Sequence, residues 1–513
     1  MWIKGACSAI LCISCCISTA QAQAETPLSA IDWLSDSLDA PVVHAKPAQT
    51  DNSISDNALP EDVSVLPLGM PTPDAVGLLP VSVTGLPADL WGTSTSSEIA
   101  RRIQDEQLDM LPAMQDLLLT ILMAELDPPS DSDSQSILFL ARIDTLLRLG
   151  ALEPALALME RAGVDNPEVF RRYFDAALLI GSEDQACAKL RATPALSPTY
   201  PTRIFCLARG GNWTTASLTL ETAMALGFVS DTDADLLLRF LDPSLADQMP
   251  PFAAPPRPSP LVFRMMEAIG EALPTSAMPL AFANADTHTN AGWKSQIEAA
   301  ERLARSRAIS PNQLIEFYTA RKPAASGGVW DRVDAVQKFE TALSRNDIAG
   351  LSAATPLAWS EIKSAELEVP FAEFYANRLS GVAGIQALPS VVEIGLLSGT
   401  YEKTADAMPT DSARNLFLKG IATGQPTTAP SNDRTAEAVG AGFSSTGIPV
   451  RLQSLTNDGR LGEAILRAMT LFTDGSRGDY DELSDALTFF RSVGLEDTAR
   501  RASLQLLLLE RRG

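Results

Sequence analysis

The chain has 513 residues and a formal net charge of −23, with 40 basic and 63 acidic side chains. This excess of negative charge repels phosphate backbones and anionic lipid headgroups, which argues against binding to nucleic acid or to membrane surfaces. Because the chain contains only two histidines, histidine-based catalysis and metal binding have few candidate residues.

The chain begins with the layout of a secretory signal peptide. Lys4 precedes an apolar run over residues 6–17, and small residues lead to a predicted cleavage point after Ala24. The run is shorter than the ~20 residues that span a bilayer, so we expect a periplasmic protein without an integral membrane segment. Anchoring as a lipoprotein through Cys15 or Cys16 is less favoured because no good lipobox precedes either residue.

The next segment, residues 25–38, is predicted to form a short amphipathic helix. A helix this short is marginal alone and needs a surface to cover. Two interpretations stay open: the helix caps this chain's own fold, or it docks into a groove of another protein. Its apolar side chains have helical spacings: Leu28, Ile31, Trp33, Leu34 and Leu38.

Proline-rich stretches divide the remaining chain. Residues 39–90 contain eight prolines among Ser, Asp, Asn and Gly, a composition typical of a disordered linker. A second break at 250–260 predicts a stiff hinge, and a third at 424–447 predicts a flexible loop. Three helical regions result: a repeat domain at 91–249, a second domain at 261–423, and C-terminal repeats at 448–513.

Within the first and last of these regions a glycine–alanine step recurs. Gly150, Gly181 and Gly211 are each followed by alanine five positions later, as are Gly459 and Gly494. Glycine can end a helix in a left-handed turn, and a small alanine lets the next helix pack closely. Such a period predicts an all-α fold of stacked helix hairpins, an α-solenoid.

These units resemble the tetratricopeptide repeat family, on Gly150, Ala155, Ala162 and Pro167 in the first unit. The resemblance covers about residues 135–245 and, more weakly, 450–513, and it implies a concave groove that receives a peptide. The sequence is also similar to exported proteins labelled antifreeze glycopeptide polyprotein. That label implies tandem Ala-Ala-Thr, which occurs here once, so we reject the implied function.

Two cysteines, Cys187 and Cys206, remain after removal of the leader. An even pair in an exported protein predicts a disulfide, and the repeat places the pair on neighbouring helices. Two buried free thiols are the alternative.

Motifs of common enzymes are missing, including H-E-x-x-H, G-x-S-x-G and the phosphate-binding glycine loops. We therefore expect no catalytic residues, no metal and no cofactor, and a small-molecule ligand is not expected. One segment is similar to part of the lytic transglycosylases, which cleave peptidoglycan with a glutamate; Glu373 or Glu368 would be the acid. The matching positions are Gly381, Gly384, Gln386 and Pro389.

The favoured function is a non-enzymatic scaffold or adaptor of the cell envelope that binds a protein partner through the repeat groove and the tethered N-terminal segment. A cluster of arginines on the first helices of the units would suit an acidic partner. The alternatives are a peptidoglycan-acting enzyme or its accessory subunit, and a purely structural solenoid. The predicted groove residues are Arg142, Arg171, Arg172, Arg203 and Arg209.

Overall fold

The computed structural model describes residues 31, 33–34, 72–245, 250, 252–253, 255–288, 291–323 and 325–509. Over these residues the fold is all-α, as predicted, with 25 α-helices and no β-strand. None of the described helices combines the length and apolar character needed to cross a membrane. The predicted signal peptide and residues 39–71 of the predicted linker lie outside the described residues.

The first ten helices include the region where the glycine–alanine step is clearest. They are α1 Val81–Thr84, α2 Ser96–Asp105, α3 Pro112–Met123, α4 Ile137–Arg148, α5 Leu152–Ala162, α6 Pro167–Ile180, α7 Glu183–Ala192, α8 Tyr200–Arg209, α9 Trp213–Ala225 and α10 Asp231–Leu241.

Seven helices follow in the middle of the chain, after a short 3₁₀ turn at Pro243–Leu245. They are α11 Pro260–Ala268, α12 Ala283–His288, α13 Trp293–Arg305, α14 Pro311–Thr319, α15 Val329–Ser344, α16 Ile348–Ser364 and α17 Glu368–Ser380. Two further 3₁₀ turns precede α12, Thr275–Ala277 and Leu280–Phe282, and the latter leads directly into the helix.

Eight helices complete the chain. They are α18 Pro389–Leu396, α19 Tyr401–Ala407, α20 Ala413–Ala422, α21 Arg434–Ser444, α22 Val450–Asn457, α23 Leu461–Ser476, α24 Tyr480–Ser492 and α25 Glu496–Leu508.

The turns between paired helices follow the predicted glycine–alanine step. Gly150, Gly181 and Gly211 have φ of 75°, 78° and 80°, a left-handed conformation that ends one helix and reverses the chain. The alanines five positions later, Ala155 and Ala186 among them, are fully buried against the preceding helix. The helical repeat is therefore confirmed.

Helix α6 shows how local sequence sets these boundaries. The Asn166 side chain accepts hydrogen bonds from the backbone N–H of Glu168 and Val169, and Pro167 occupies the first turn. Gly181 ends the helix in the left-handed conformation.

The described helices do not form an open-ended stack, because helices near the start of the chain touch helices near its end. Helix α2 packs on α23, and α3 packs on α25. The Gly462 N–H donates to the Leu90 carbonyl at 2.9 Å, and the Ala113 N–H donates to the Gln505 side chain at 2.7 Å. An open solenoid keeps its terminal repeats apart, so the helices of this chain close on themselves.

Part of the predicted linker is packed structure. Asp74 is buried and accepts hydrogen bonds from the Phe139 N–H at 2.7 Å and from the Ser132 hydroxyl at 2.5 Å. Leu86 and Leu90 are also buried. The linker prediction is therefore wrong for residues 72–90, where apolar side chains between the prolines find core partners.

The predicted flexible loop at 424–447 contains helix α21, which packs against α24. Its glycines permit this contact: a Cβ at Gly442 would lie 2.8 Å from Leu487 Cβ. At the predicted hinge, Phe252 is buried, with the Arg239 guanidinium 5.8 Å from its ring centre.

Candidate functional site

Arg142 of α4, predicted to line a groove, is buried, and its guanidinium lies at the end of α3. Its guanidinium donates hydrogen bonds to the carbonyls of Leu122 at 2.9 Å, Ala124 at 2.9 Å and Val76 at 2.8 Å. Burial lowers the pKa of Arg142 to about 10, so the group remains protonated at neutral pH. Arg142 therefore joins residues 72–76 to α3 and is inaccessible to a partner in this conformation.

Arg171 and Arg172 on α6 are buried as well. Arg172 pairs with Asp144 of α4 through two contacts, Nε to Oδ1 at 2.5 Å and Nη2 to Oδ2 at 3.0 Å. Its Nη1 also donates to Glu168 at 2.9 Å, and Arg171 lies 3.5 Å from the same carboxylate. A surface groove lined by Arg142, Arg171 and Arg172 is thus a wrong prediction, because all three side chains are buried within the fold.

Arg203 and Arg209 on α8 stay at the surface. Arg209 is exposed and pairs with Asp184 at 2.8 Å and Glu183 at 3.1 Å. Arg203 is half-buried, with its guanidinium 5.5 Å from the centre of the Tyr200 ring. Their role in partner binding stays a prediction.

The predicted disulfide is confirmed. Cys187 on α7 and Cys206 on α8 are bonded, with a Cα–Cα distance of 5.0 Å, and both residues are buried. The bond joins two successive helices of the repeat.

Helix α9 presents an unusual surface. Only Ala216, Leu220 and Ala223 are buried, so a narrow stripe holds the helix to its neighbours α8 and α10. Glu221 is the single charged residue between positions 213 and 229. Large apolar side chains lie around the exposed side of this helix and the turn after it; we call them the α9 surface: Trp213, Leu218, Met224, Leu226 and Phe228.

Aromatic contacts hold both ends of the α9 surface in place. Phe228 stacks on Tyr200 of α8 with ring centres 5.1 Å apart and planes within 3° of parallel. Trp213 lies 6.3 Å from Phe240 of α10. Sequence periodicity missed this surface because its apolar residues fall outside the buried stripe. The available signal was a run of 17 residues with one charge in a chain that is 20% charged.

The N-terminal segment contacts this chain's own core. Ile31, Trp33 and Leu34 are buried, and the Trp33 ring meets the Phe282 ring edge-on at 5.6 Å. The Leu34 N–H donates to the Ile31 carbonyl at 3.3 Å. Residues 31, 33 and 34 form a turn, and the predicted helix over the rest of this segment stays a prediction. Leu28 and Leu38 lie outside the described residues.

Glu373 and Glu368, the candidate acids of the alternative enzyme function, lie in different surroundings. Glu373 lies in an ion cluster with Arg307 and Arg501, and Glu368 is buried at the start of α17. The transglycosylase-like segment forms the junction between α17 and α18. Gly384 has a φ of 91°, and its N–H donates to the Gln386 side chain at 3.0 Å, which shapes the turn.

A cavity of about 440 Å³ opens beside α11, α12 and α13. The hydroxyl of Thr275 donates to Asp286 at 2.5 Å, and Arg302 donates to the Thr275 carbonyl at 2.9 Å. Burial raises the pKa of Asp286. Glu267 and Glu298 add further carboxylates at the wall. Over the described residues, no group of three His, Cys, Asp or Glu side chains could hold a metal ion.

Over the described residues, these features define an all-α, disulfide-bonded helical-repeat protein whose helix α9 is weakly charged and exposes large apolar side chains. No protein-family model, curated protein or solved structure matches the chain.

Proposed function

We propose that this protein is an exported, non-enzymatic scaffold that binds a protein partner of the cell envelope through the α9 surface. The observation that carries the proposal is the exposure of this surface: Leu218 is 62% exposed and Leu226 is 61% exposed, with Glu221 the nearest charge in sequence. Exposed apolar patches mark interaction sites, and the five side chains of the α9 surface lie within 16 residues of sequence.

The chemistry of the α9 surface defines the partner. Trp213 and Phe228 are aromatic anchors fixed by ring contacts, the type of residue that dominates binding energy at interfaces. Arg203, stacked on Tyr200 beside Phe228, adds a positive rim. These features suit an apolar helix of a partner that carries acidic residues at its flank.

Two observations support export. The leader pattern before Ala24 fits a secreted chain, and the Cys187–Cys206 disulfide fits an oxidising compartment. Both are compatible with the periplasm.

Crosslinking in the native envelope followed by mass spectrometry tests the proposal. The Leu218→Arg variant places a charge within the α9 surface and is expected to lose the wild-type partner. The matched control is Leu357→Arg: Leu357 lies on α16 and is 65% exposed, so the same substitution leaves α9 unchanged.

Loss of the same partner from both variants would show a general effect on folding or export, and its retention by Leu218→Arg would refute the α9 site. Circular dichroism melts of the purified variants establish that both remain folded.

A further inference from the structure

The described residues of the N-terminal segment pack into the core in the way that a bound peptide packs into its receptor. Three of its residues, Ile31, Trp33 and Leu34, are almost fully buried, although the chain joins them to Thr72 only through residues 35–71. The apolar turn that they form places the Trp33 ring against Phe282.

The receptor side is built by contacts in which residues 31–34 take no part. The 3₁₀ turn that carries Phe282 packs on α4 and α6, and Phe263 of α11 meets the Phe282 ring at 5.4 Å. Just after this turn, the Asn284 amide donates to the Gly150 carbonyl and to the Ala281 carbonyl, each at 3.0 Å. The surface that receives Trp33 is therefore fixed by long-range packing.

We propose that the surface around Phe282 is a peptide-binding site for an apolar turn with a tryptophan anchor, and that its ligand is the Ile31–Leu34 turn of the same chain. A buried aromatic anchor is the usual centre of such recognition. Tethering makes the binding intramolecular, so the effective concentration of the turn at the site is on the order of 1 mM. The turn of a second copy exchanges into the site only when the protein concentration approaches that value.

The site is distinct from the α9 surface, because α9 packs on α8 and α10 and the Phe282 turn packs on α4 and α6. The proposal therefore stands or falls separately from the proposed function, and its test requires no envelope partner.

The test uses the full mature chain and a fluorescently labelled synthetic peptide of residues 27–38, followed by fluorescence anisotropy. The Trp33→Ala variant leaves the site without its anchor, so the peptide is expected to bind it saturably. Binding to the wild-type chain is expected to be at least about ten-fold weaker, since the tethered turn competes. The Leu357→Ala variant, altered at an exposed apolar side chain outside both proposed sites, is expected to behave as wild type.

A peptide with alanine at position 33 should bind neither chain. The proposal is overturned if the peptide fails to bind a folded Trp33→Ala variant, or if it binds wild type equally well. Loss of the folded state in Trp33→Ala, checked by circular dichroism and repeated with Leu34→Ser, would also overturn it, because a separable ligand leaves its receptor folded.

Discussion

Arg307 and Glu373 form a two-pronged ion pair, with Arg307 Nη2 at 2.9 Å and 2.7 Å from the two carboxylate oxygens. Arg307 Nε also reaches Asp116 at 2.7 Å, and Arg501 reaches Glu373 at 3.1 Å. The four residues come from α3, the turn between α13 and α14, α17 and α25. This ion cluster therefore joins parts of the chain that the sequence places far apart.

Replacing Glu373 with glutamine should destabilise the fold. The side chains of Glu373 and Arg307 are 19% and 12% exposed, so the variant leaves two guanidinium groups poorly compensated in a largely buried setting. We expect a loss of about 2 kcal/mol in the free energy of unfolding, between the values typical of exposed and fully buried pairs. Denaturant unfolding measures it.

The control for this variant is Glu402→Gln. Glu402 also pairs with an arginine, Arg500 at 2.9 Å, but its side chain is 63% exposed. Solvent screening should hold the loss there below about 1 kcal/mol. Equal losses at both positions would contradict a structural role specific to the cluster.

Glu106 should make stability depend on pH. This carboxyl is 3% exposed between α2 and α23, where the Thr470 hydroxyl donates to it at 3.3 Å. Burial raises its pKa from the usual 4.5 to about 7. The folded state therefore holds the proton more tightly, and stability is lost as the pH rises from 4.5 through 7, by up to roughly 3 kcal/mol.

The Glu106→Gln variant should remove this dependence, and guanidinium unfolding at pH 5 and pH 8 measures it. Glu98 on α2 provides a control, because Glu98→Gln should leave the difference between pH 5 and pH 8 unchanged. Hydrogen bonds from the Thr95 side chain and backbone lower the pKa of Glu98. Its contribution is therefore present above the usual pKa and lost at lower pH. A wild-type profile identical to that of Glu106→Gln would contradict the assignment.

Reducing the Cys187–Cys206 bond should destabilise the α7–α8 pair. The bond closes a loop with a sequence separation of 19, for which the chain-entropy estimate is about 3 kcal/mol. Thermal melts with and without reductant measure the effect, and a Cys187→Ser, Cys206→Ser double variant should melt like the reduced wild type. A purified chain lacking residues 1–24 that shows two titratable thiols after unfolding without reductant would refute the disulfide.

Gly462 of α23 lies in the contact between the early residues Leu90 and Trp91 and the late helices. A Cβ at this position would lie 2.5 Å from the Trp91 ring, so Gly462→Ala should destabilise by about 1–3 kcal/mol through overpacking. Gly440→Ala is the matched control in helix α21, where the nearest atom is 3.6 Å away in the Phe417 ring. Removing a helical glycine there should be neutral or stabilise by up to about 1 kcal/mol. Urea unfolding of both variants distinguishes the two expectations.

Structural features that depend on residues close together in the chain could be predicted from the sequence. The Asn166 cap, the left-handed Gly181 turn and the buried Ala186 each depend on residues within a few positions of one another. The Cys187–Cys206 pairing followed because the repeat makes α7 and α8 neighbours. Helix pairing and the disulfide were therefore predictable.

Features with distant causes were not predictable. Arg142 has the spacing of a surface residue, yet it binds carbonyls at the end of α3 and in residues 72–76. Likewise, the glycine-rich stretch around Gly442 has the composition of a loop. It forms a helix because Leu487, distant in sequence, packs against it. The α9 surface escaped prediction because hydrophobic periodicity identifies the buried stripe and says nothing about an apolar outer face.

The contact of α2 and α3 with α23 and α25 constrains how the polypeptide matures. The helices synthesised first have partners that are synthesised last, so Trp91 stays without its neighbour Gly462 until nearly the whole chain exists. Such long-range pairing slows folding and leaves apolar helix faces uncovered during biogenesis. We therefore expect nascent chains that stop before α23 to depend on chaperones and to be degraded when released.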